Sequence, residues 1–315
     1  MSLPALRALR SRFPGAEIVV LAKPWVADLY QGERAVDRII PLGPRRETVL
    51  KLRRERVDLA ILFPNSFDSA ALLFFAGIGR RVGYSRDGRS LLLTDAIPRP
   101  NPGEISRHER YYYLELLRRA RIIDQIPDCD EIRFDGADEA RERGQQLFRN
   151  RDIDMPVIGV SPGAAFGGAK RWLPERFAEA AARLAAQIGG SVAVFGSPAE
   201  HQLCEWVAAT SGGANLAGAT TLREFIDMTA ACALYLANDS GAMHIAAALG
   251  VPSVTVFGPT DETATGPSGA LARIVREPVD CAPCKLRECP IDHRCMTRVT
   301  ADRVVREAAA LVRPQ

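Results

Sequence analysis

The stretch Leu236-Ala-Asn-Asp-Ser-Gly-Ala-Met-His-Ile-Ala-Ala-Ala-Leu-Gly-Val-Pro-Ser-Val-Thr-Val-Phe-Gly-Pro259 reads as strand, tight turn, helix, turn, strand. The apolar run Ala233 to Ala237 ends at Asn238, Asp239 and Ser240, three residue types that cap helices. Gly241 lets a ligand come close to the backbone as the helix begins. Free amides and the positive end of the helix would then face an anion, so the turn is expected to hold a phosphate.

Working outward, apolar β-branched runs alternate with amphipathic segments along the whole chain. Glu17 to Ala22, Arg38 to Leu42 and Leu59 to Phe63 read as strands, and Leu3 to Phe13, Trp25 to Gln31 and Glu47 to Arg56 as helices. This βα rhythm with short connections predicts parallel sheet covered by helices. A capping box, Ser106 with Glu109, is expected to start a helix through Tyr111 to Ala120, and the polar stretch Arg141 to Asp154 to close the first half. The rhythm restarts with strand Pro156 to Val160, helix Pro174 to Gln187 and strand Ser191 to Phe195. A second capping box, Thr221 with Glu224, precedes the run that leads into the opening stretch. The pattern predicts an α/β chain of two Rossmann-like domains, residues 1–150 and 151–315, facing a cleft, with ligands at the carboxyl ends of the strands. The first element is a helix beginning at Pro4 with no strand before it, so the first strand of the N-terminal domain is expected to be missing.

Composition sets outer limits. The chain has 315 residues, 47% hydrophobic and 25% charged, with a net charge of +3, a balance too weakly basic to imply nucleic acid. The longest apolar stretch, Ala70 to Gly79, is too short to span a bilayer. Arginines 7, 10 and 12 follow Met1 without a signal-type apolar core, so a cytoplasmic protein is expected. Cys129, Cys204 and Cys232 stand singly and read as small reduced hydrophobes.

Three further segments carry chemistry. The strand ending at Val160 runs into Ser161-Pro-Gly-Ala-Ala-Phe-Gly-Gly-Ala-Lys-Arg-Trp-Leu-Pro174, a glycine-rich loop followed by a helix. Lys170, one of only four lysines, would supply a mobile positive charge there. The alternatives are a plain surface loop here, a buried structural role for His244, and a capping role for Asp239. The two turns together can aim at one pyrophosphate, and Glu200 could accept hydrogen bonds from a ribose. Cys281, Cys284, Cys289 and Cys295 follow C-x2-C-x4-C-x5-C with His293 nearby, a density compatible with a structural tetrahedral zinc or with a reduced cluster that needs no metal. Pro64 to Tyr84 joins a polar strand end (Asn65, Ser66) to an apolar helix and a basic turn. There Arg80, Arg81 and Arg86 could meet an anionic acceptor or simply face solvent.

Gly163-Ala-Ala-Phe-Gly-Gly-Ala-Lys-Arg-Trp172, Asn238-Asp-Ser-Gly-Ala-Met-His244 with Phe257-Gly-Pro-Thr260, and the cysteine segment ending Arg294-Cys-Met296 closely resemble glycosyltransferase family 9. The Pro64-Asn-Ser-Phe67 stretch is also similar to its inner-core heptosyltransferases. The resemblance implies a GT-B fold and inverting transfer of L-glycero-D-manno-heptose from ADP-heptose to a heptose of the lipid A core oligosaccharide. It implies donor contacts by Lys170, Asp239, Ser240, Gly241, Ala242, Met243 and His244, with Glu200 near the adenosine. Asn65, Ser66, Arg80, Arg81 and His108 are candidate acceptor contacts, no cofactor is expected to be required, and a peripheral place on the inner face of the inner membrane is expected. The last helix is expected to return to the first domain.

Family members carry a Gly-Asp pair, whose aspartate is the expected base, a few residues before a Pro-Ala-Leu helix. Pro4-Ala5-Leu6 matches that helix, so the base is expected upstream of Met1 and the chain as written is expected to be inactive or poorly folded. Other readings are a family-9 transferase for the first or third heptose or another sugar, and a non-catalytic nucleotide-sugar-binding protein. A dinucleotide oxidoreductase is disfavoured because no G-x-G-x-x-G follows a strand with an acidic residue at the right distance.

Overall fold

The computed structural model describes residues 1–311, which divide into two α/β units at Cys129/Asp130. In the first unit α1 (Leu3–Arg12), β1 (Val19–Ala22), β2 (Arg38–Pro41), α2 (Arg45–Glu55), β3 (Leu59–Leu62), α3 (Phe67–Phe75), β4 (Arg80–Tyr84), β5 (Asp95–Ile97) and α4 (Glu109–Arg119) follow one another. Its strands form two parallel ladders, β1–β2 and β3–β4–β5. Among the described residues β1 and β3 are not paired, yet Val19, Leu21 and Ala60 pack on a common core of Ile40, Leu52, Leu72, Ala76 and Ile78. The segment around Trp25 is a 3-10 turn, Pro24–Tyr30, instead of an α-helix.

The second unit opens with α5 (Ala137–Arg149), then β6 (Val157–Ser161), α6 (Pro174–Ile188), β7 (Ser191–Val194), α7 (His201–Ser211), β8 (Ala214–Asn215) and α8 (Leu222–Ala230). It continues with β9 (Leu234–Asn238), α9 (Gly241–Ala248), β10 (Ser253–Phe257), α10 (Glu262–Thr265), β11 (Ala272–Arg276), α11 (Arg294–Thr297) and α12 (Ala301–Ala309). Six parallel strands lie in the order β8-β7-β6-β9-β10-β11. The central strands β6, β9 and β10 are buried along their whole length, including the small polar side chains Ser253 and Thr255 of β10. Gly159 gives β6 room for its neighbour, since a Cβ there would stand 2.5 Å from the Tyr235 ring.

Local signals explain the covering helices. Pro174 occupies the first turn of α6, Gly189 closes it in the left-handed conformation at φ 64°, and Phe177, Ala178, Ala181 and Leu184 line the buried stripe. Thr221 and Glu224 form the expected capping box of α8. The Ser106 box does not form: His108 is the N-cap of α4, its Nδ1 accepting from Arg110 N at 3.3 Å.

The domain boundary also moves. The stretch Arg141 to Asp154, expected to close the first half, lies largely in the helix Ala137–Arg149, which packs on α8 of the second unit. A Cβ at Gly144 would lie 1.9 Å from the Asp227 carbonyl, so only glycine allows that approach. Arg143 donates to both carboxylate oxygens of the buried Asp227, at 2.9 and 2.8 Å. The last helix, α12, packs on α6 and belongs to the second unit.

Candidate donor site and the family of the chain

The chain builds β6, β7 and β8 outward to one edge, then crosses back to lay β9 against the other side of β6. In open parallel sheets the crevice at such a reversal, outside the carboxyl ends of the strands, is where ligands bind. Both motifs leave the sheet there: residues 162–173 after β6, and residues 239–241 after β9.

Asn238, fully buried at the end of β9, ties these loops together. Its Nδ2 donates to the Pro162 carbonyl at 2.7 Å, and its Oδ1 accepts from Trp172 N at 2.9 Å. Trp172, 1% exposed, is anchored in turn by Nε1 donating to the Val299 carbonyl at 3.0 Å. The loop is therefore pinned at both ends by one amide, and Lys170 sits between them on a single 3-10 turn.

Lys170 Nζ lies 2.6 Å from Asp239 Oδ2, with side-chain exposures of 14% and 5%. The same oxygen accepts from Thr260 Oγ1 at 2.5 Å, on the loop after β10. The expected caps are thus reassigned. Asp239 is a counter-ion, Asn238 a loop staple, and Ser240 is the N-cap of α9 in extended conformation without a side-chain capping bond. The first amides of α9, at Gly241, Ala242 and Met243, are consequently not capped by Ser240. A Cβ built on Gly241 meets nothing within 4 Å, which leaves open approach to this helix end. Helix-end amides and a lysine converge on the properties an anion needs. His244 follows on the first turn of α9, half-buried.

Glu200 stands after β7. Its Oε2 accepts from Ser197 N at 2.9 Å and Ser197 Oγ at 2.8 Å, closing a capping box. Its Oε1 would be 1.9 Å from a Cβ on Gly163, so the carboxylate lies directly over the start of the glycine-rich loop. Four successive strand ends, of β7, β6, β9 and β10, contribute to this one crevice.

In the first unit, Asn65 and Ser66 do lie at the carboxyl end of β3, where Ser66 caps α3 by accepting from Ser69 N at 3.3 Å. Arg80 and Arg81 lie at the amino end of β4, the opposite edge of that sheet, and both are engaged. Arg80 Nε donates to Asp95 at 2.8 Å, while Arg81 donates to the carbonyls of Leu92 and Ile78. The basic turn of the sequence is the head of a strand, and the geometry gives these two arginines structural work.

Sequence reasoning missed Arg89. It is fully buried, donating to the carbonyls of Tyr84 at 2.9 Å and Pro64 at 2.5 Å, to Ser69 Oγ at 3.3 Å, and from Nη2 to Asn65 Oδ1 at 3.1 Å. Asn65 Nδ2 passes the network on to Tyr112 Oη at 2.9 Å. Burial pulls the Arg89 pKa down from its ordinary value. The one sequence signal was Gly83, where a Cβ would crowd the Arg89 guanidinium at 3.2 Å.

Among the described residues no three His, Cys, Asp or Glu side chains are placed to hold a metal ion. Cys281 and Cys284 are exposed, whereas Cys295 is buried against Gly258 and burial pushes its thiol pKa up.

The profile of Glycosyltransferase family 9 (heptosyltransferase) matches residues 45–294. Lipopolysaccharide heptosyltransferase 2 of Escherichia coli (strain K12) is 34% identical over 295 residues, covering 88% of this chain and 84% of that protein. Lipooligosaccharide heptosyltransferase 2 of Haemophilus ducreyi is 32% identical over 99% of this chain and 95% of its own. The solved structure of E. coli ADP-heptose LPS heptosyltransferase II superposes with a TM-score of 0.82 at 31% identity, covering 99% of this chain and 94% of that one. With two α/β units of the GT-B kind, the chain belongs to glycosyltransferase family 9.

Proposed function

We propose that the protein is an inverting heptosyltransferase of the second type, moving L-glycero-D-manno-heptose from ADP-heptose to the heptose already present on the lipid A core oligosaccharide. The observation that carries this reading is Lys170, paired with Asp239 just before the accessible end of α9 at the sheet's reversal, in a chain whose relatives at 30% identity or more include heptosyltransferases 2. As ADP leaves, negative charge builds on the β-phosphate while the sugar becomes oxocarbenium-like. A fixed ammonium and aligned helix amides stabilise that charge where it develops. Lys170 must transfer from Asp239 to the phosphate for this. Asp239, held by Thr260, then keeps the ammonium oriented. Glu200, over Gly163, is placed to receive the nucleoside.

The test is transfer by the full-length protein. ADP release and a gain of one heptose on an acceptor carrying a single core heptose support the proposal. Transfer only to an acceptor without heptose, or one with two, would reassign the step within the family. ADP binding without transfer to any of them would leave a nucleotide-sugar-binding protein.

We also infer a cytoplasmic protein seated on the inner face of the inner membrane. Among the described residues no helix is long and apolar enough to cross a membrane. The support is α3, whose Phe67, Phe74 and Phe75 are half-exposed, with the guanidinium of Arg45 5.6 Å from the Phe75 ring centroid and that of Arg81 5.4 Å from that of Phe74. Aromatic rings edged by arginine suit an anionic lipid surface.

A further inference from the structure

The cysteine-rich segment grips the loop that carries Lys170. Gly168 N donates to Glu288 Oε1 at 2.8 Å, and Ala169 N donates to the Arg287 carbonyl at 2.9 Å. His293 Nε2 lies 2.7 Å from the Ala169 carbonyl; an oxygen of that kind only accepts, so Nε2 carries the proton. Three of the four polar backbone groups of Gly168 and Ala169, immediately before Lys170, are thus taken by residues about 120 positions downstream. The packing is equally close: a Cβ at Gly167, whose φ is 154°, would fall 2.3 Å from the Arg287 carbonyl, and one at Gly168 would fall 2.4 Å from Glu288 Oε2. Lys170 Nζ and the Arg287 guanidinium also share the Phe166 ring, at 4.9 and 5.4 Å from its centroid.

The segment is itself firmly seated. Cys295 and Met296 are buried against Gly258, and Lys285 N donates to the Pro259 carbonyl at 2.8 Å. His293 is held at φ 54°, a left-handed conformation that few non-glycine residues keep without support, and its carbonyl accepts from Met296 N and Thr297 N. A recess of about 310 Å³, lined by residues including Gly168, Trp172, Leu203, His293 and Thr297, lies against the loop. Polar contacts from the segment and its close packing together hold the backbone just before Lys170.

We propose that Glu288 and His293 are positioning residues for the donor diphosphate, acting through the Gly168–Ala169 backbone on Lys170. The cysteine-rich segment is then the outer wall of the donor site. The inference rests on Lys170 being a phosphate ligand, which a Lys170→Met control tests separately.

The experiment is an ADP titration of the full-length protein, with donor and acceptor KM measured alongside. Glu288→Ala and His293→Asn, the latter chosen because asparagine tolerates the left-handed conformation, are each expected to weaken ADP roughly tenfold, the scale of one lost ordering hydrogen bond. Donor KM rises with it and acceptor KM does not. Glu288→Gln, which keeps an acceptor oxygen for Gly168 N, is expected to restore binding. Gly168→Ala weakens ADP in the wild-type background, where its methyl displaces Glu288, and weakens it less once Glu288 is alanine. Unchanged ADP affinity in folded Glu288→Ala and His293→Asn, or equal loss of donor and acceptor affinity with no rescue by glutamine, overturns the proposal. If Lys170→Met binds ADP as tightly as the wild type, the diphosphate reading fails, and the positioning role falls with it.

Discussion

Lys170 and Asp239 form a nearly buried ion pair at 2.6 Å, joining the loop after β6 to the loop after β9 across the sheet's reversal. Each side chain needs the other while the crevice holds no phosphate, because an unpaired charge in so dry a place is strongly unfavourable. Substituting Lys170→Met leaves the Asp239 carboxylate with only the Thr260 hydroxyl among its partners named above. The expected outcome is a kcat lower by about 10²–10³, the usual consequence of removing one group that stabilises transition-state charge. A stability loss of about 3 kcal/mol accompanies it, as for a broken buried pair. Steady-state kinetics and urea unfolding measure the two effects, and an unaltered kcat would remove Lys170 from the mechanism.

Asn238 is expected to be the least replaceable residue near the site. Asn238→Ala strips partners from the Pro162 carbonyl and Trp172 N at once. Two unsatisfied buried backbone groups imply a loss on the order of 2–4 kcal/mol, read as a lower urea midpoint, together with weaker ADP binding because the loop ends are freed. Asn238→Asp keeps the acceptor for Trp172 but turns a carboxylate oxygen toward the Pro162 carbonyl, so it should not rescue. A stable Asn238→Asp variant with native ADP affinity would contradict the staple.

Arg89 offers the matching test in the first unit. Its fan of bonds to carbonyls and Asn65 depends on a planar fork, so Arg89→Lys is not conservative here. The expected loss is about 2–3 kcal/mol of stability, with acceptor KM raised and ADP affinity unchanged. A shift in ADP affinity would show that the network does something other than set the Pro64–Ser66 loop.

The thiols should separate by pH. Burial pushes the Cys204 thiol up to about 12 and raises Cys232 and Cys295 as well, whereas Cys281 and Cys284 are exposed. Thiolate is the reactive form, so an aromatic disulfide reagent at pH 8 should modify Cys281 and Cys284 rapidly, and Cys204, Cys232 and Cys295 only on unfolding. The sign for stability follows. The folded state keeps these protons to higher pH than the unfolded state, which ionises near 9.0, so their contribution is intact below that value and declines as pH rises from there toward 12. Rapid labelling of Cys204 in the native protein would contradict its burial.

Much of the second unit was legible because its strands are buried on both faces and its turns carry distinctive residues. The run Leu234 to Asn238, the glycine-rich loop with Lys170 and the Thr221–Glu224 box all stand where the sequence placed them. What escaped were roles decided by distant partners. Asp239 looks like a cap until Lys170, 69 positions upstream, is seen against it. Helix α5 looked like a polar closing stretch because its buried face is narrow, only Ala140, Gly144 and Phe148 among charged neighbours, and the close approach at Gly144 is explained only by α8. Arg80 and Arg81 read as a basic turn because charge at the head of a strand hides the apolar residues Val82 and Tyr84 behind it. The cysteine spacing suggested zinc, but its neighbours Glu288 and His293 bind backbone amides and carbonyls, a use that no spacing announces.

The most direct measurement is ADP release by the full-length protein supplied with ADP-heptose and lipid A core acceptors bearing none, one or two heptoses. The account predicts release with the one-heptose acceptor, a product heavier by one heptose of inverted anomeric configuration, and collapse of the rate in Lys170→Met. Release that ignores the acceptor's heptose count, or a rate that survives Lys170→Met, would contradict it.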